Sequence, residues 1–235
     1  TSSAASITNC NLRSATVVGK DYVGSFVGVN NSGSISNISS LDLNLTGNIY
    51  VGGIFGLASE SSTGLSSSGS IIAVSRGGGI YGRSNGGTHD NLQSTASVSG
   101  SSLLGGLIGS IDNSTVTNSS ARGDITGTSD LGGAIGNYIG NGSTTSINIS
   151  AHGDVTGSGD RIGGLIGSSW HSLSKSYSTG RVSGQHYVGG LIGNFSDDGV
   201  DPENIDQCYS VSDVYGAGFS VGVLVGLTGV GQVSI

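Results

Sequence analysis

The acidic segment between residues 197 and 206 has the residue types best suited to chemistry. It holds Asp197, Asp198, Asp201, Glu203 and Asp206. Carboxylates at this density could bind Ca²⁺, which takes about six to eight oxygen ligands. However, the spacing does not match an EF-hand loop, and the chain lacks the Gly-Gly-x-Gly-x-Asp repeat of calcium-binding β-rolls. We interpret the segment as a solvated insertion loop and keep Asp197, Asp198, Asp201 and Glu203 as a candidate calcium site.

The four histidines are the next candidates, because an imidazole can act as a base or bind a metal. They are His89, His152, His171 and His186, and none stands at a zinc-type spacing from another His, Cys or carboxylate. No Gly-x-Ser-x-Gly elbow is present, and no Ser-His-Asp set can be assembled from the sequence. We predict exposed turn histidines, no catalytic residue, no cofactor other than the candidate calcium, and a protein that is not an enzyme.

The composition argues against several classes of function. The 235 residues carry a net charge of −7 with only 8 Lys plus Arg, so the basic face of a nucleic-acid-binding protein is not expected. No run of about 18 or more apolar residues is present, so no membrane span is expected. The 45 glycines and the scarcity of helix formers argue against long helices.

A glycine-rich motif recurs through the chain at near-constant intervals. The clearest copies are YVGGIFG at 50–56, LLGGLIG at 103–109, RIGGLIG at 161–167 and YVGGLIG at 187–193. Weaker copies lie at 22–28, 77–82, 131–136 and 221–226. The eight copies divide the chain into repeats at approximately 1–28, 29–56, 57–82, 83–109, 110–136, 137–167, 168–193 and 194–226. We predict one domain over residues 1–235.

Two further apolar columns keep step with this motif. One lies two residues before a glycine, as in Val98 before Gly100 and Val155 before Gly157. The other opens the repeats and comprises Ile7, Ile35, Val116, Ile147, Leu173 and Ile205. Each repeat therefore reads as three short strands of the forms I-x-N-x-x, x-V-x-G and V-G-G-L-I-G. A single turn cannot bury its apolar face alone, so stacking predicts an all-β β-solenoid (β-helix) of about eight turns of ~27 residues.

The paired glycines of the motif have two physical explanations. Either the backbone there needs a positive φ, or the interior is too narrow for a Cβ atom. The sequence leaves both open. The structural repeat glycines are Gly52, Gly53, Gly56, Gly105, Gly106, Gly109, Gly132, Gly133, Gly136, Gly163, Gly164, Gly167, Gly189, Gly190 and Gly193.

Cys10 and Cys208 occupy the same column of the first and last repeats. Seven turns at the spacing of paired strands place them about 34 Å apart, too far for an internal disulfide. We interpret them as small buried residues of an interior column, with an intermolecular link as the alternative. Trp170 lies in a turn, where it either contacts a glycan or covers the outer surface of the coil.

The repeats resemble the GLUG motif, which is named for its Gly-Leu-hydrophobic-Gly core. LLGGLIG, RIGGLIG and YVGGLIG carry the resemblance, together with Asn9-Cys10-Asn11 and Gln207-Cys208-Tyr209 near the end of the first strand. It covers nearly the whole chain. Such repeats look like stalk or passenger regions of large bacterial surface and secreted proteins, including adhesins and immunoglobulin-A metalloproteases. The HExxH helix of those proteases is absent, so no protease role is implied.

We therefore expect an extracellular, cell-surface structural or adhesive protein. Strand-like sequence reaches both ends of the chain without a visible polar cap. We therefore expect one of two arrangements: the chain is a segment flanked by neighbouring domains of a larger surface protein, or its copies stack end to end into a fibre. The alternative is a ligand-binding module that uses one flat face for glycan, on a host surface for example, or for ice. A partly regular column of Thr46, Ser99, Thr126, Thr156 and Ser183, interrupted by Val18 and Tyr215, motivates that alternative.

Overall fold

The structure is a computed structural model that describes residues 6–140, 144–196 and 203–229. These residues form strands joined by short turns and contain no helix. The strands are β1 (Ile7–Arg13), β2 (Thr16–Val18), β3 (Asp21–Gly24), β4 (Val27–Asn30), β5 (Ile35–Gly52), β6 (Phe55–Ala58), β7 (Ser62–Gly78), β8 (Tyr81–Asn85), β9 (Thr88–Ser94), β10 (Ser97–Gly105), β11 (Ile108–Asp112), β12 (Thr115–Ala121), β13 (Ile125–Gly127), β14 (Ser129–Gly132), β15 (Ile135–Ile139), β16 (Thr145–Ala151), β17 (Val155–Gly157), β18 (Asp160–Gly163), β19 (Ile166–Ser169), β20 (Ser172–Ser174), β21 (Tyr177–Ser178), β22 (Val182–Gly184), β23 (His186–Gly189), β24 (Ile192–Phe195), β25 (Ile205–Asp206), β26 (Tyr209–Ser210), β27 (Val214–Gly216), β28 (Val221–Gly222) and β29 (Val225–Thr228).

Each repeat forms one turn of a coil, and equivalent strands of successive turns pair in parallel. Leu104 pairs with Leu131, Leu131 with Ile162, and Ile162 with Val188. Like residues therefore stack on like residues along the axis, at the strand spacing of about 4.8 Å. The predicted β-solenoid is confirmed.

The strands of each turn fall into four segments, which we number in chain order. The first three segments of all turns join one 21-stranded sheet, and the fourth segments form a separate eight-stranded sheet with one strand from each turn. We number the turns 1 to 8 by their fourth-segment strands, which are β4, β6, β8, β11, β15, β19, β24 and β29.

The third strand of the predicted repeat is divided in the structure. In LLGGLIG, Leu104 and Gly105 end β10, whereas Ile108 begins β11 in the other sheet. Gly106 and Leu107 make the turn between them, and both are buried. The motif therefore crosses from one sheet to the other, so each copy contributes to both walls of the coil.

The interior consists of two hydrophobic clusters rather than one. The first lies between the first and fourth segments and includes Ile38, Phe55 and Ile108. The second lies between the second and third segments and includes Leu45, Val98 and Leu131. Burial of apolar side chains that are shared between neighbouring turns is the main source of stability in such an array.

One position of the predicted opening column was wrong. Ile147 pairs with Thr117 and is 39% exposed, whereas Ser146 faces inward and is fully buried. Ser146 lies next to Leu173 in the pairing with turn 7. It is tolerated inside because its hydroxyl accepts a hydrogen bond from the Val116 amide at 3.1 Å and donates one to the Tyr138 hydroxyl.

Candidate functional site

Only one of the four candidate calcium ligands lies within the described residues. Asp197, Asp198 and Asp201 lie outside the described residues. Glu203 is described and only 3% exposed. Its Oε2 accepts a hydrogen bond of 2.6 Å from the Ser172 hydroxyl. Within residues 6–140, 144–196 and 203–229, no group of three or more His, Cys, Asp or Glu residues is placed to hold a metal ion.

The prediction that all four histidines are exposed was wrong. His89 and His171 are fully buried, and His152 and His186 are partly buried. The reason is that short turns bring the residues after the fourth segment back into the coil, where a ring can replace an aliphatic side chain. His89, for example, occupies the inward column of Ser62 and Val116.

His89 is held by a buried polar network that crosses three turns. Its Nδ1 lies 2.9 Å from the Ser62 hydroxyl and its Nε2 lies 2.5 Å from the Ser84 hydroxyl. Ser62 also bonds to the Tyr81 hydroxyl, and Ser84 to the Ser114 hydroxyl. Burial lowers the pKa of His89 to about 4, so the ring is neutral at pH 7. Because the network is buried in the described structure, we assign it a structural role.

His171 and Glu203 form a second buried polar pair. The His171 Nδ1 is 3.8 Å from the Glu203 Oε1, and neither ring nitrogen has a hydrogen-bond partner. The ring packs on Tyr138 with centroids 4.8 Å apart. Burial raises the pKa of the Tyr138 hydroxyl. The pair joins the segment after the last strand of turn 6 to the segment before the first strand of turn 8.

Cys10 and Cys208 share one interior column, as predicted. Ile38 pairs with Cys10 at one end of the column, and Cys208 contacts the Ser176 amide at the other. Both thiols are free and partly buried against the first cluster. Burial raises the pKa of the Cys208 thiol, which leaves it protonated at neutral pH.

The Thr column and Trp170 are on the surface, where the sequence placed them. The pairing register puts Val18, Thr46, Ile72, Ser99, Thr126, Thr156, Ser183 and Tyr215 in one outward column of the second segment. Ile72 also belongs to this column, although the sequence did not assign it there, and it is 45% exposed. Trp170 is 40% exposed.

The repeat glycines form a waist between the two hydrophobic clusters, which we call the glycine waist. A Cβ on Gly163 would lie 2.7 Å from the Gly193 amide nitrogen and closer still to the Ile166 carbonyl oxygen. A Cβ on Gly167 would lie 2.7 Å from the Asp130 carbonyl carbon. None of the fifteen predicted repeat glycines has a positive φ. The narrow interior, and not the backbone conformation, therefore explains the motif.

The residue before each V-G-G copy carries the positive φ instead. Tyr22, Tyr50, Arg76, Leu103, Asp130, Arg161, Tyr187 and Ser220 all have φ between 52° and 60°. Sequence reasoning missed this column because its residue types vary. The closing glycine of the next turn packs on its backbone, as Gly82 does on Tyr50. The side chains of neighbouring turns contact one another: Tyr22 stacks on Tyr50, and Arg161 forms an ion pair with Asp130.

A second positive-φ column runs along the outer face of the first segment, and we call it the asparagine column. Its members are Asn9, Asn37, Gly64, Asn91, Asn118, Asn148, Lys175 and Gln207. Asparagine tolerates the left-handed region better than other non-glycine residues, which explains the I-x-N form of the predicted first strand. The Asn37 amide donates to the Asn9 Oδ1 at 3.1 Å, and the Asn148 amide to the Asn118 Oδ1 at 2.9 Å.

The same outer face carries shallow depressions in turns 2 to 5. One of about 280 Å³ lies at Gly64, between Asn37 and Asn91. A second lies beside Thr63 and Asp90, and a third between Gln93 and Ser120. Most of the residues that line them are Ser, Thr, Asn and Gln, and the charged ones are Asp90 and Arg122. This face combines regular outward polar side chains with concave relief, and it is the candidate binding site.

Together, the coil, the two clusters and the glycine waist define a β-solenoid repeat protein. The family model described as the GLUG motif matches residues 100–126, which confirms the resemblance expected from the repeats. The match begins at Gly100 in β10, includes the copy LLGGLIG and ends in β13 of turn 5. Comparison with curated proteins and with solved structures finds no match. Among the described residues, no helix is long and apolar enough to cross a membrane.

Proposed function

We propose that the chain is an extracellular structural and adhesive repeat protein, and that its solenoid acts as a rigid rod without catalytic activity. The rod serves as a stalk within a larger bacterial surface protein or as a fibre subunit. The resemblance of its repeats to stalk and passenger regions supports this proposal, as does a net charge of −7 spread over a surface rich in Ser, Thr and Asn.

The observation that carries the proposal is the unbroken pairing of every turn with the next. The third-segment column runs from Val23 to Val51 and continues to Val188 and Val221 at the far side. Each of turns 2 to 7 is hydrogen-bonded to both neighbours and shares its core with them, so bending the rod would break pairing on one side. A rod of this kind spaces or projects whatever is joined to it.

Partners follow from the same geometry. In a larger surface protein, neighbouring domains continue the coil. In a fibre, a second copy stacks end to end and extends the same columns. Host-surface glycans are the further partner class that suits an adhesive rod.

Ice is not favoured as a ligand. The outward column of the second segment holds Thr126 and Thr156 side by side, but Val18, Ile72 and Tyr215 interrupt it. An ice-binding face needs a longer regular array of hydroxyl groups. Glycan binding is the alternative that a specific surface supports, and that surface belongs to the first segment.

Negative-stain electron microscopy with small-angle X-ray scattering tests the rod. Eight turns at the strand spacing predict monodisperse rods of about 40 Å, and filaments one solenoid wide would identify a fibre subunit. Rounded particles with no constant width would contradict the proposal. The variant Gly163→Val is the control, because it should lose the rod shape if the glycine waist maintains the coil.

A further inference from the structure

We infer that the outer face of the first segment in turns 2 to 5 is a binding track for an extended neutral polysaccharide. The inference deepens the proposed adhesive role and rests on it. The track is defined by three neighbouring columns that include Thr63 and Asp90, Asn37 and Asn91, and Ser66 and Gln93. We call this surface the polar track.

The relief of the polar track comes from one substitution in the asparagine column. Turn 3 carries Gly64 where turns 1, 2, 4, 5 and 6 carry Asn. The missing side chain opens the depression between Asn37 and Asn91, and Leu65 and Ser66 also line it. The notch is therefore a local departure from the repeat, whereas the rest of the column only maintains the coil.

Side chains at the notch and at the neighbouring Thr63 depression are already oriented. Gln93 donates to the Asn91 Oδ1 at 3.1 Å, and Asn118 donates to the Asp90 carboxylate at 2.7 Å. Thr117 donates to the same carboxylate at 2.8 Å. These hydrogen bonds lower the pKa of Asp90 and keep it an acceptor. Preorganised polar groups lose little entropy when a ligand binds, which favours recognition of a ligand with many hydroxyl groups.

Other ligand classes fit the polar track poorly. A peptide would need a free strand edge, an apolar groove or a cluster of arginines. Here the first-segment strands are paired on both sides, and the side chains that line the notch are mostly those of Ser, Asn and Gln. The Asp90 carboxylate repels an anionic polymer, and a nucleic acid would need a basic surface.

The spacing of the turns suits an extended chain of sugars. The notch at Gly64 spans turns 2 to 4 along the solenoid axis, where successive strands lie about 4.8 Å apart. The depressions at Thr63 and at Gln93 lie beside it along the strand direction. A β-1,4-linked pyranose chain is extended and advances by a similar distance per sugar. Such a chain can place one sugar on each turn and insert one ring edge into the notch at Gly64.

The test is calorimetric titration of the chain with two neutral probes, a β-1,4-linked hexasaccharide of glucose and one of N-acetylglucosamine. The key variant is Gly64→Asn, which restores the repeat residue. Its added Cβ would meet the movable Asn37 Oδ1 at 2.6 Å, with the nearest backbone atom at 3.5 Å. The positive φ of Gly64 is one that Asn adopts in five other turns. We expect normal folding and at least a tenfold loss of affinity.

A second variant, Ser66→Gln, fills the same notch from the adjacent column, where turn 4 already carries Gln93. The matched control is Thr126→Asn on the outward column of the second segment, which should bind as the parent does. Binding of neither probe would overturn the inference, and so would unchanged affinity in both notch variants. Tighter binding of a uronic acid hexasaccharide would refute the neutral ligand class. If microscopy shows the rod but calorimetry detects no binding of either probe, the inference about the polar track is wrong and the proposal of a rigid rod still stands.

Discussion

The glycine waist makes a specific prediction about Gly163→Ala. The added Cβ would lie 2.7 Å from the Gly193 amide nitrogen and closer to the Ile166 carbonyl oxygen, where ordinary contact begins at 3.4 Å. Both neighbours are backbone atoms of paired strands, so they cannot move without distorting the hydrogen bonds between turns. Overpacking alone costs about 1–3 kcal/mol, and each buried hydrogen bond that is lost adds about 1 kcal/mol. We expect Gly163→Ala to lower the free energy of unfolding by more than about 3 kcal/mol.

The matched control is Gly127→Ala, one turn earlier along the axis. Its Cβ would meet the terminal methyl groups of Leu104 and Leu131 at 2.9 and 3.0 Å, and these can shift. The nearest backbone atom is the Gly100 carbonyl oxygen at 3.1 Å, farther than the backbone contacts at Gly163. We expect a loss of about 1 kcal/mol or less. Urea denaturation followed by far-UV circular dichroism measures both. Equal unfolding midpoints for the two variants would refute the explanation that backbone contact, rather than a general intolerance of side chains, selects glycine in the waist.

Three further predictions concern buried polar and apolar positions. The pKa of His89 is about 4 in the folded chain and about 6.5 when unfolded, so the unfolded state takes up the proton first and stability falls as the pH drops from 6.5 to 4. The free energy of unfolding, measured by urea denaturation at a series of pH values, should fall by up to about 3 kcal/mol over this range. In a His89→Gln variant it should fall by less. Ile147→Thr should change the free energy of unfolding by about 0.5 kcal/mol or less because Ile147 is on the surface. Ile149→Thr should lower it by about 2–3 kcal/mol because Ile149 is fully buried. Similar urea midpoints for the two variants would contradict the strand register that places Ile147 outside and Ile149 inside. Tyr138→Phe removes the hydroxyl that bonds to Ser146 and should cost about 1 kcal/mol, and a thermal melt indistinguishable from the parent would show that the network contributes nothing.

Much of the fold was predictable because each turn packs mainly against its neighbours. In such an array, residues at the same place in successive repeats must stack, so the recurrence of V-G-G-L-I-G fixes which positions lie together. The columns through Val98, Val155 and Val182 were assigned in this way, and the pairing register confirms them. The I-x-N form of the first strand likewise indicated the asparagine column, although not its left-handed backbone.

The buried histidines were not predictable from spacing. His89 is accommodated because Ser62 and Ser84, from turn 3, each place a hydroxyl at one of its ring nitrogens. Those partners are 27 and 5 residues away, and no sequence pattern links them. Only the stacked turns show that a polar ring at this position is satisfied and can be buried.

The sequence by itself determined the number of turns, their length and most of the inward columns, because a periodic chain of about 27 residues per repeat can bury its apolar residues only by stacking. The tertiary structure alone decided how the motif uses its glycines. A positive φ and an interior too narrow for a Cβ atom were both consistent with glycine at these positions. Only the distances between backbones in different turns distinguish the two explanations. It also decided that Ser146, and not Ile147, faces inward, because adjacent residues compete for one column and the pairing with Thr117 and Ser174 selects between them.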